Sequence, residues 1–516
     1  MDFQRLQFDP KGAVYDTDPH DVPDEYWTES YNMRFKNRAV EKIGGDSEAT
    51  TTTGQGTHLL FNGDHATPYW LYFGDGVARV TDFTTDKDIE GTALSSGTDW
   101  DTCLFNLFPI CNNTVDQPRY WDKDFTTPGT LSTLTAFPSN TTCQVIRPFR
   151  SFLVAMNITD TGASPTAQPN RVLWSDSSDS GAIPASWDIT DPATLAGDAY
   201  LTDDRGEIIG GWQLRDYFVI YKTHSTYIMR LIGGQSVMRI DKVQVNSGML
   251  TKNCVTEFEG KHFVVADGDI VLFDGQNIQS IADKRVRSQI FDNIDSTNYG
   301  QTHVVRYDKL NEIWVCYPSS GQSNVDTAAI WNWLDDTWTF RKLNDTFYIA
   351  SGVANTTSTT WAGLSGYTWA NLSSNWQPYW NAPSANPTAD SLHSIATLAI
   401  NTIDDTYDFE GSPMVTRLEK RSMDLGEPEK VKYIDSVIPR ITGTAGMTVY
   451  IRIGTQLNPD DTITWQTEQA YVVGTDREVH PDVKGRYISI RFRTEGTGEN
   501  WKLHGFTIKG KPAGDY

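Results

Sequence analysis

Short runs of alternating apolar and polar residues, separated by turn residues, follow one another along the middle of the chain. The segment 327–343 is the most informative, because an apolar run ends in Trp331-Asn332-Trp333, meets a short acidic turn and returns through Trp338 and Phe340. Aromatic and β-branched residues favour strands, and a turn of about four residues joins neighbouring antiparallel strands. The segment therefore predicts a β-hairpin, with its tryptophans mostly in the packed core.

Five further units of this kind precede that hairpin. Asn-Gly and Asp-Gly pairs mark several of the turns, because both central residues of such tight turns need positive φ. The units recur roughly every 40 to 50 residues, which is the spacing of propeller blades. The pattern predicts a β-propeller of about six blades. The six units fall within residues 57–80, 104–121, 152–175, 207–232, 261–273 and 312–340.

Regular alternation also occurs at both ends of the chain. Near the N-terminus, Tyr31, Met33 and Phe35 alternate with polar residues, and Asn37-Arg38 offers a turn into a returning strand. After residue 417, six alternating strands in about 100 residues predict an antiparallel β-sandwich. These six strands are predicted at 431–441, 447–453, 463–465, 469–473, 487–493 and 501–509.

Together these patterns predict an all-β protein in four parts. We expect an N-terminal strand segment over residues 1–55, a β-propeller over 56–362, an irregular crossover or insertion over 363–416 and a C-terminal β-sandwich over 417–516. The stretch 392–400 suits either a short helix or a strand, and the pattern leaves both open.

The composition supports globular burial and excludes one class of function. With 38% hydrophobic and 12% aromatic residues, the chain is not disordered. A net charge of −23 excludes a basic nucleic-acid clamp. From residue 417 onward 15 basic residues balance 14 acidic ones, so nearly all of the excess negative charge lies earlier. This charge is interpreted either as a solubility device or as an acidic wall along which DNA slides without sticking.

The cysteines and the N-terminal segment indicate the cellular compartment in which the protein folds. The five cysteines (Cys103, Cys111, Cys143, Cys254, Cys316) are scattered without CxxC spacing, which favours reduced thiols in a cytoplasmic setting. The N-terminus has no apolar core of signal-peptide length, and no stretch approaches the length of a transmembrane helix. We expect a soluble chain that is not exported by an N-terminal signal.

Carboxylates are the only candidate catalytic groups present in quantity. No His/Cys pattern has zinc spacing, and neither a GxSxG elbow nor a Walker loop occurs. A glycosidase needs two converging carboxylates, but Asp-Asp and Asp-Gly are also turn residues, and each pair falls where a turn is expected. We therefore predict no catalytic, cofactor-binding or metal-binding residues. The pairs considered are Asp335/Asp336, Asp203/Asp204, Asp404/Asp405 and Asp267/Asp269.

Two other charged segments have both a functional and a structural interpretation. Asp16, Asp18 and Asp21 have the carboxylate density of a loose Ca²⁺ site. They lack the glycine and the terminal glutamate of an EF-hand, which favours an exposed acidic loop. The basic run KRVR at 284–287 is too short for a nucleic-acid patch. A solvated edge, or a contact with an acidic neighbour, is the better interpretation.

Five segments spread along the chain carry a resemblance to a known group of proteins. They are VPDEYWTESYNMRFKNRAVEKIGG (22–45), CNNTVDQPRYW (111–121), RVLWSDSSDSGAIPASWD (171–188), AAIWNWLDDTWTFRKL (328–343) and RYISIRFRTEGTGENWKLHGFTIKG (486–510). They resemble the opening, the propeller segments and the C-terminal strand pair of the tail nozzle proteins of short-tailed bacteriophages. That group is also called tail tubular protein B or packaged-DNA stabilisation proteins. The region 351–400 matches no segment of the group.

The resemblance implies a structural virion protein without enzymatic activity. It implies a homohexameric ring below the portal adaptor, extending and closing the DNA channel, retaining the genome until ejection and offering attachment surfaces for tail fibres or spikes. Double-stranded DNA would pass without specific binding. The protein would be made and assembled in the bacterial host cytoplasm and end in the virion tail. The alternative is a propeller-type glycan-binding or glycan-cleaving appendage, and a third interpretation is a head-completion protein or baseplate hub.

Overall fold

Strands dominate this computed structural model, as the alternating pattern predicts. The helices among the described residues are short, namely one α-helix at Arg287–Phe291 and two 3₁₀ turns at Tyr299–Gln301 and Asp308–Leu310. The all-β prediction is therefore confirmed. The structure describes residues 2–5, 10–65, 68–91, 94–233, 236–245, 247–353 and 390–515.

Six consecutive four-stranded antiparallel units, numbered blades 1 to 6 in chain order, correspond to the six units of the sequence. Blade 1 contains His58–Asn62, Tyr69–Gly74, Val77–Thr81 and Asp86–Asp88; blade 2 Asp101–Phe105, Phe108–Asn112, Arg119–Tyr120 and Ser132–Thr133; blade 3 Thr141–Phe149, Phe152–Asp160, Ala167–Trp174 and Gly197–Tyr200; blade 4 Ile208–Leu214, Tyr217–Lys222, Ser225–Leu231 and Met238–Val245; blade 5 Val255–Phe258, Lys261–Ala266, Asp269–Phe273 and Ile278–Ser280; blade 6 His303–Tyr307, Glu312–Tyr317, Val325–Asn332 and Thr337–Thr346.

Among the described residues a seventh blade completes the propeller, so the count of about six is corrected to seven. Its outer strand comes from near the N-terminus and pairs with a strand far later in the chain. Two of its strands fall in the segment 363–416, which was expected to be irregular. Within that segment, residues 363–389 lie outside the described residues and 404–415 form bends and isolated bridges. The strands of blade 7 are Tyr348–Gly352, Ser391–Ile395, Ala399–Ile403 and Asp46–Thr51.

The first strand of each blade lies at the propeller axis. These strands neighbour one another around the ring, and Tyr348–Gly352 of blade 7 contacts His58–Asn62 of blade 1, which closes it. Aromatic side chains pack between blades, as where the ring centroids of Phe258 in blade 5 and Trp331 in blade 6 lie 5.6 Å apart in an edge-on arrangement. Such contacts stabilise a stack of small sheets, because each wide ring buries a large apolar area.

The aromatic hairpin of blade 6 follows the sequence prediction. Trp331 and Trp338 are cross-strand partners and retain only 4% and 1% exposure, while Trp333 is half-buried against the same cluster. The prediction that these tryptophans belong mostly to the blade core is confirmed.

Two sheets form the C-terminal sandwich, and strands from the N-terminus belong to both. All six strands predicted after residue 417 are present, and Asn37 and Arg38 form the expected tight turn with φ of 53° and 57°. Apolar residues of both sheets, such as Phe35 and Phe492, share one core. Sheet A contains Asp2–Arg5, Met33–Lys36, Ala39–Lys42, Lys430–Gly443, Val483–Gly485 and Trp501–Asp515, and sheet B contains Glu29–Tyr31, Thr416–Met423, Thr448–Gln456, Thr464–Trp465, Gln469–Val472 and Tyr487–Thr494.

One continuous sheet joins the sandwich to the propeller. Glu29–Tyr31 of sheet B pairs antiparallel with Thr416–Met423, and through Tyr31 it pairs parallel with Phe340 in the outer strand of blade 6. Blade 6 and sheet B thus form a single ten-stranded sheet. The two modules share backbone hydrogen bonds as well as side-chain contacts.

Candidate functional site

Two cavities lie along the propeller axis. The upper cavity, of about 490 Å³, is bordered by residues at the starts of inner strands and by the loops that precede them. The lower cavity, of about 350 Å³, is bordered by residues further along the same strands. His58, Asn253 and Tyr348 line both cavities and therefore lie between them.

Tyr348 is held between two imidazole rings in this middle layer. Its ring centroid lies 4.2 Å from that of His58 in blade 1 and 4.4 Å from that of His303 in blade 6. The Nε2 atom of His58 lies 2.9 Å from the hydroxyl of Thr102 in blade 2. Tyr348 begins the inner strand of blade 7, so these contacts fix the point where the ring closes.

Hydrogen bonds assign a neutral tautomer to His303. Its Nε2 accepts the backbone N–H of Ile349 at 3.0 Å, so the proton is on Nδ1, which donates to the carbonyl of Gln301 at 3.0 Å. Burial lowers the pKa of His303 to about 4. Burial, reinforced by the charges of Lys252 and Arg147, also lowers the pKa of His58. Both imidazoles are neutral near pH 7.

A buried ion pair fills the other side of the axis. Arg147 of blade 3 pairs with Asp101 of blade 2, whose other oxygen accepts the backbone N–H of Ile146 at 2.8 Å. The guanidinium lies over the ring of Trp212, 5.1 Å from its centroid. Its Nη2 reaches the side-chain oxygen of Asn253 at 3.5 Å. Such a buried pair is stable only with these additional partners, and Arg147 and Trp212 also line the lower cavity.

The acidic turn of the blade 6 hairpin has a structural role. Asp336 has φ of 50°, and its carboxylate accepts the indole N–H of Trp331 at 3.0 Å and pairs with Arg285 at 2.8 Å. Asp335 is exposed and donates its backbone N–H to Asn332. The basic run at 284–287 therefore does contact an acidic neighbour.

The other carboxylate pairs lie at separate places. Asp204 in the loop before blade 4 pairs with Lys222 and Lys242; burial opposes its ionisation, but hydrogen bonds from these lysines outweigh it and hold its pKa well below the usual range. Asp404 pairs with Arg34 of sheet A at 2.9 Å. Asp269 accepts the hydroxyl of Ser280 at a blade 5 turn. None of the residues of the four pairs lines either axial cavity.

The acidic loop near the N-terminus is held by backbone hydrogen bonds. Asp16 accepts the backbone N–H of Ser288 at 3.1 Å, and Asp18 accepts that of His20 at 2.9 Å. Across the described ranges, no group of three His, Cys, Asp or Glu side chains is placed to hold a metal ion.

The five cysteines are all buried and unpaired. Burial raises the pKa of Cys103 and of Cys254 to about 12, so both remain protonated and unreactive near neutral pH. None of the helices in the described ranges is long and apolar enough to cross a membrane.

Replacing Asp335 and Asp336 together with asparagine is expected to change the free energy of unfolding by less than about 1 kcal/mol, because the Asp336–Arg285 pair is partly exposed to solvent. Asparagine tolerates the left-handed conformation and keeps an acceptor for Trp331. Urea unfolding measures the change. A loss of several kcal/mol, or the disappearance of a measurable glycan cleavage, would contradict the structural role of this turn.

The sequence contains no pattern that predicts the residues lining both axial cavities. Tyr348, His58 and Asn253 are single residues in unlike contexts, and only the closure of the ring brings them together. No motif spacing exists for them, since each belongs to a different blade or the loop before it.

Comparison with known proteins finds similarity to solved structures only. No family model matches the chain, and neither does any curated protein. Among solved structures, the chain is similar to PorZ, a surface component of the type IX secretion system of Porphyromonas gingivalis, with 8% identity, a TM-score of 0.37 and coverage of 72% of this chain and 42% of PorZ.

Two further structures are similar over most of their length. Hsv2p of Kluyveromyces lactis has 10% identity and a TM-score of 0.33, with 72% of this chain and 95% of that chain covered. The N-terminal domain of Nup159 has 9% identity and a TM-score of 0.36, with 70% and 94% covered. This likeness concerns the fold alone, and the β-propeller assignment itself follows from the strand pairing described above.

Proposed function

We propose that this chain is a structural subunit of the tail nozzle of a short-tailed bacteriophage. Copies assemble as a homohexameric ring below the portal adaptor, extend and close the DNA channel, retain the genome until ejection and carry tail fibres or spikes. The protein is made in the host cytoplasm, ends in the virion tail and has no enzymatic activity. The five segments that resemble the nozzle proteins support this proposal, and they are distributed in order along most of the chain.

The observation that carries the proposal is the rigid connection between propeller and sandwich. The ten-stranded sheet joins the modules through backbone hydrogen bonds at Tyr31 and Phe340. Beside it, Arg34 of sheet A pairs with Glu312 of blade 6 and with Asp404 beyond blade 7. A subunit that holds a packaged genome must resist force without hinging between its modules, and this connection suits that task.

The packing of the axis bears on the path of the DNA. In the part of the propeller that the structure describes, the axial cavities measure about 490 and 350 Å³ and His58, Asn253 and Tyr348 lie between them, so the axis has no room for a duplex. In the proposed ring, DNA therefore passes through the central channel that the subunits enclose, and not along the axis of any one propeller. The negative charge before residue 417 suits a lining that repels phosphates.

Immunogold electron microscopy of particles from the source lysate tests the proposal. We expect label at one vertex only, at the distal end of a short tail, while antibody against the major capsid protein labels the whole shell. Label along lateral appendages, or on no particle, would overturn the nozzle proposal.

A further inference from the structure

We infer that the sandwich of one copy of this chain binds blade 3 of a second copy through two surfaces of opposite charge. The inference rests on the ring proposed above and names the surfaces through which its subunits meet. The blade 3 loop, residues 175–196, connects the third and outer strands of blade 3. The basic band lies on the outer face of sheet A and its adjoining turn. It consists of Lys36, Arg38, Arg440, Lys502 and His504.

The basic band crosses sheet A on the side that faces away from the sandwich core. Phe35 and Leu503 enter that core. The residues that follow them, Lys36 and His504, therefore lie on the opposite face. Strand register places Arg440 next to His504. The basic side chains thus come from neighbouring strands of one sheet and form one surface.

Few carboxylates balance the basic band. Lys502 pairs with Glu41 at 3.1 Å. Lys36 and Arg440 have no carboxylate at ion-pair distance in the part of the chain that the structure describes. Burial, and next to it the positive charges of Lys502 and Arg440, lower the pKa of His504. A surface with such a surplus of positive charge attracts an acidic partner.

The blade 3 loop carries the opposite charge. It contains four aspartates and neither lysine nor arginine, and none of these aspartates forms an ion pair within the described ranges. Ile189 and Leu195 of the same loop are 42% and 40% exposed. Exposed apolar side chains among acidic ones are typical of a docking surface, which has an apolar centre and a polar rim. The four aspartates are Asp176, Asp179, Asp188 and Asp191.

Contacts with the body of the propeller hold the blade 3 loop in place. Asp176 accepts the backbone N–H of Leu195 at 3.0 Å, and the indole of Trp174 donates to the carbonyl of Leu195 at 3.0 Å. Trp187 is 2% exposed and packs edge-on against Phe137, with 5.0 Å between the ring centroids. A loop that is already ordered loses little conformational freedom when a partner binds.

The two surfaces lie on opposite sides of the molecule. Blade 6 continues into the sandwich, and in the ring of seven blades blade 3 stands three positions from it in one direction and four in the other. The basic band of one copy can therefore meet the blade 3 loop only of another copy. A contact between two unlike surfaces runs head to tail, and it generates a ring when the rotation between copies closes.

Charge favours a second copy over DNA as the partner of the basic band. With a net charge of −23, two copies repel each other unless surfaces of opposite sign face one another. The Debye length is about 8 Å at physiological salt, so the charges at the contact dominate. Binding of a duplex without sequence preference grows with the number of phosphates that are neutralised. The basic band is small, and Lys502 is already paired with Glu41.

Sedimentation velocity of the intact protein tests the inference over concentrations up to about 0.2 mM. We expect reversible self-association, with a dissociation constant that rises at least about tenfold between about 50 and 300 mM NaCl. The band variant, Lys36→Glu with Arg440→Glu, should stay monomeric, and so should the loop variant, Asp179→Lys with Asp191→Lys. In each variant the two surfaces have the same sign. An equal mixture of the two variants should associate again, since each surface then meets its opposite.

A matched control changes the same number of charges elsewhere. Lys261→Glu with Lys309→Glu replaces two exposed lysines of the propeller. It alters the net charge as the band variant does, and it should associate as the parent protein does. Circular dichroism of every variant should match that of the parent.

Several results would overturn the inference. They are a parent protein that stays monomeric throughout the series, self-association that salt does not weaken, a folded band or loop variant that associates as the parent does, and a mixture of folded variants that associates no more than its components. A band variant that still self-associates but has lost binding to a DNA duplex would assign the basic band to DNA instead. The salt series needs no substitution, so it remains a test if a variant fails to fold.

The failure of this contact and the failure of the nozzle proposal are distinguishable. Immunogold labelling reports where the protein lies in the particle, whichever surfaces its copies share. Label at the tip of the tail together with unchanged self-association of the band variant would overturn the contact alone.

Discussion

Replacing Arg34 with methionine is expected to lower the free energy of unfolding by about 3 to 5 kcal/mol. The Arg34 side chain, 8% exposed, lies between Glu312 and Asp404, with Nε 2.5 Å from one carboxylate and Nη2 2.9 Å from the other. Methionine keeps much of the packing volume but leaves both buried carboxylates without their ion-pair partner. The substitution therefore removes the electrostatic connection between sheet A and the propeller.

Urea unfolding followed by tryptophan fluorescence measures this effect. The control Arg239→Met removes an exposed pair with Asp241 and should cost less than about 1 kcal/mol. Adding Glu312→Gln and Asp404→Asn to Arg34→Met should recover much of the loss, because neutral amides are far less costly to bury than unpaired carboxylates. Equal losses for Arg34→Met and Arg239→Met would show that the buried connection does not hold the modules together.

Local patterns predict the blades well because each blade is built from neighbouring hairpins. The expected turn at Asp267-Gly268-Asp269 joins Lys261–Ala266 to Asp269–Phe273, and the turn at Gly74-Asp75-Gly76 joins two strands of blade 1. In both cases the turn residues and the alternating strands lie within one short stretch. The strands of the C-terminal sandwich are recognisable by their alternation alone, although they pair over longer separations, as Lys430–Gly443 does with Trp501–Asp515.

Blade 7 could not be predicted in this way. Its outer strand, Asp46–Thr51, lies hundreds of residues before the strand Ala399–Ile403 with which it pairs. Its first and second strands are separated by residues 353–390. No window of the sequence contains this blade, and its strands are recognisable only once the ring closes. The connection of Arg34 to Glu312 and Asp404 is hidden for the same reason.

Acidification from pH 7 to pH 5 is expected to lower the free energy of unfolding by about 5 kcal/mol. Burial lowers the pKa of His262 and His303 to about 4 and that of His393 to about 3, and it also lowers the pKa of His58 well below its usual value. In the unfolded chain each imidazole titrates near 6.5, so below that pH the unfolded state takes up protons that the folded state refuses. The histidine contribution to stability is fully present above pH 6.5 and is lost as the pH falls towards the pKa values of the folded state.

Carboxyl groups contribute little to the change in the free energy of unfolding between pH 7 and pH 5. Asp204, with its lowered pKa, contributes stability that is lost only below the ordinary range of aspartate. Burial raises the pKa of Asp46 and of Asp390, and their protonation in the folded state opposes the histidine effect. The decline between pH 7 and pH 5 is therefore assigned to the buried histidines.

His303→Gln separates this cause from a general loss of stability in acid. Glutamine can accept the N–H of Ile349 and donate to Gln301 as the imidazole does, but it does not titrate. Between pH 7 and pH 5 the variant should lose about 2 kcal/mol less stability than the parent protein. His224→Gln changes an exposed histidine and should retain all of it. Urea unfolding at pH 7 and pH 5 measures the free energy of unfolding of both variants and of the parent. If both variants lose as much stability as the parent, the neutral imidazole of His303 is not what makes the protein sensitive to acid.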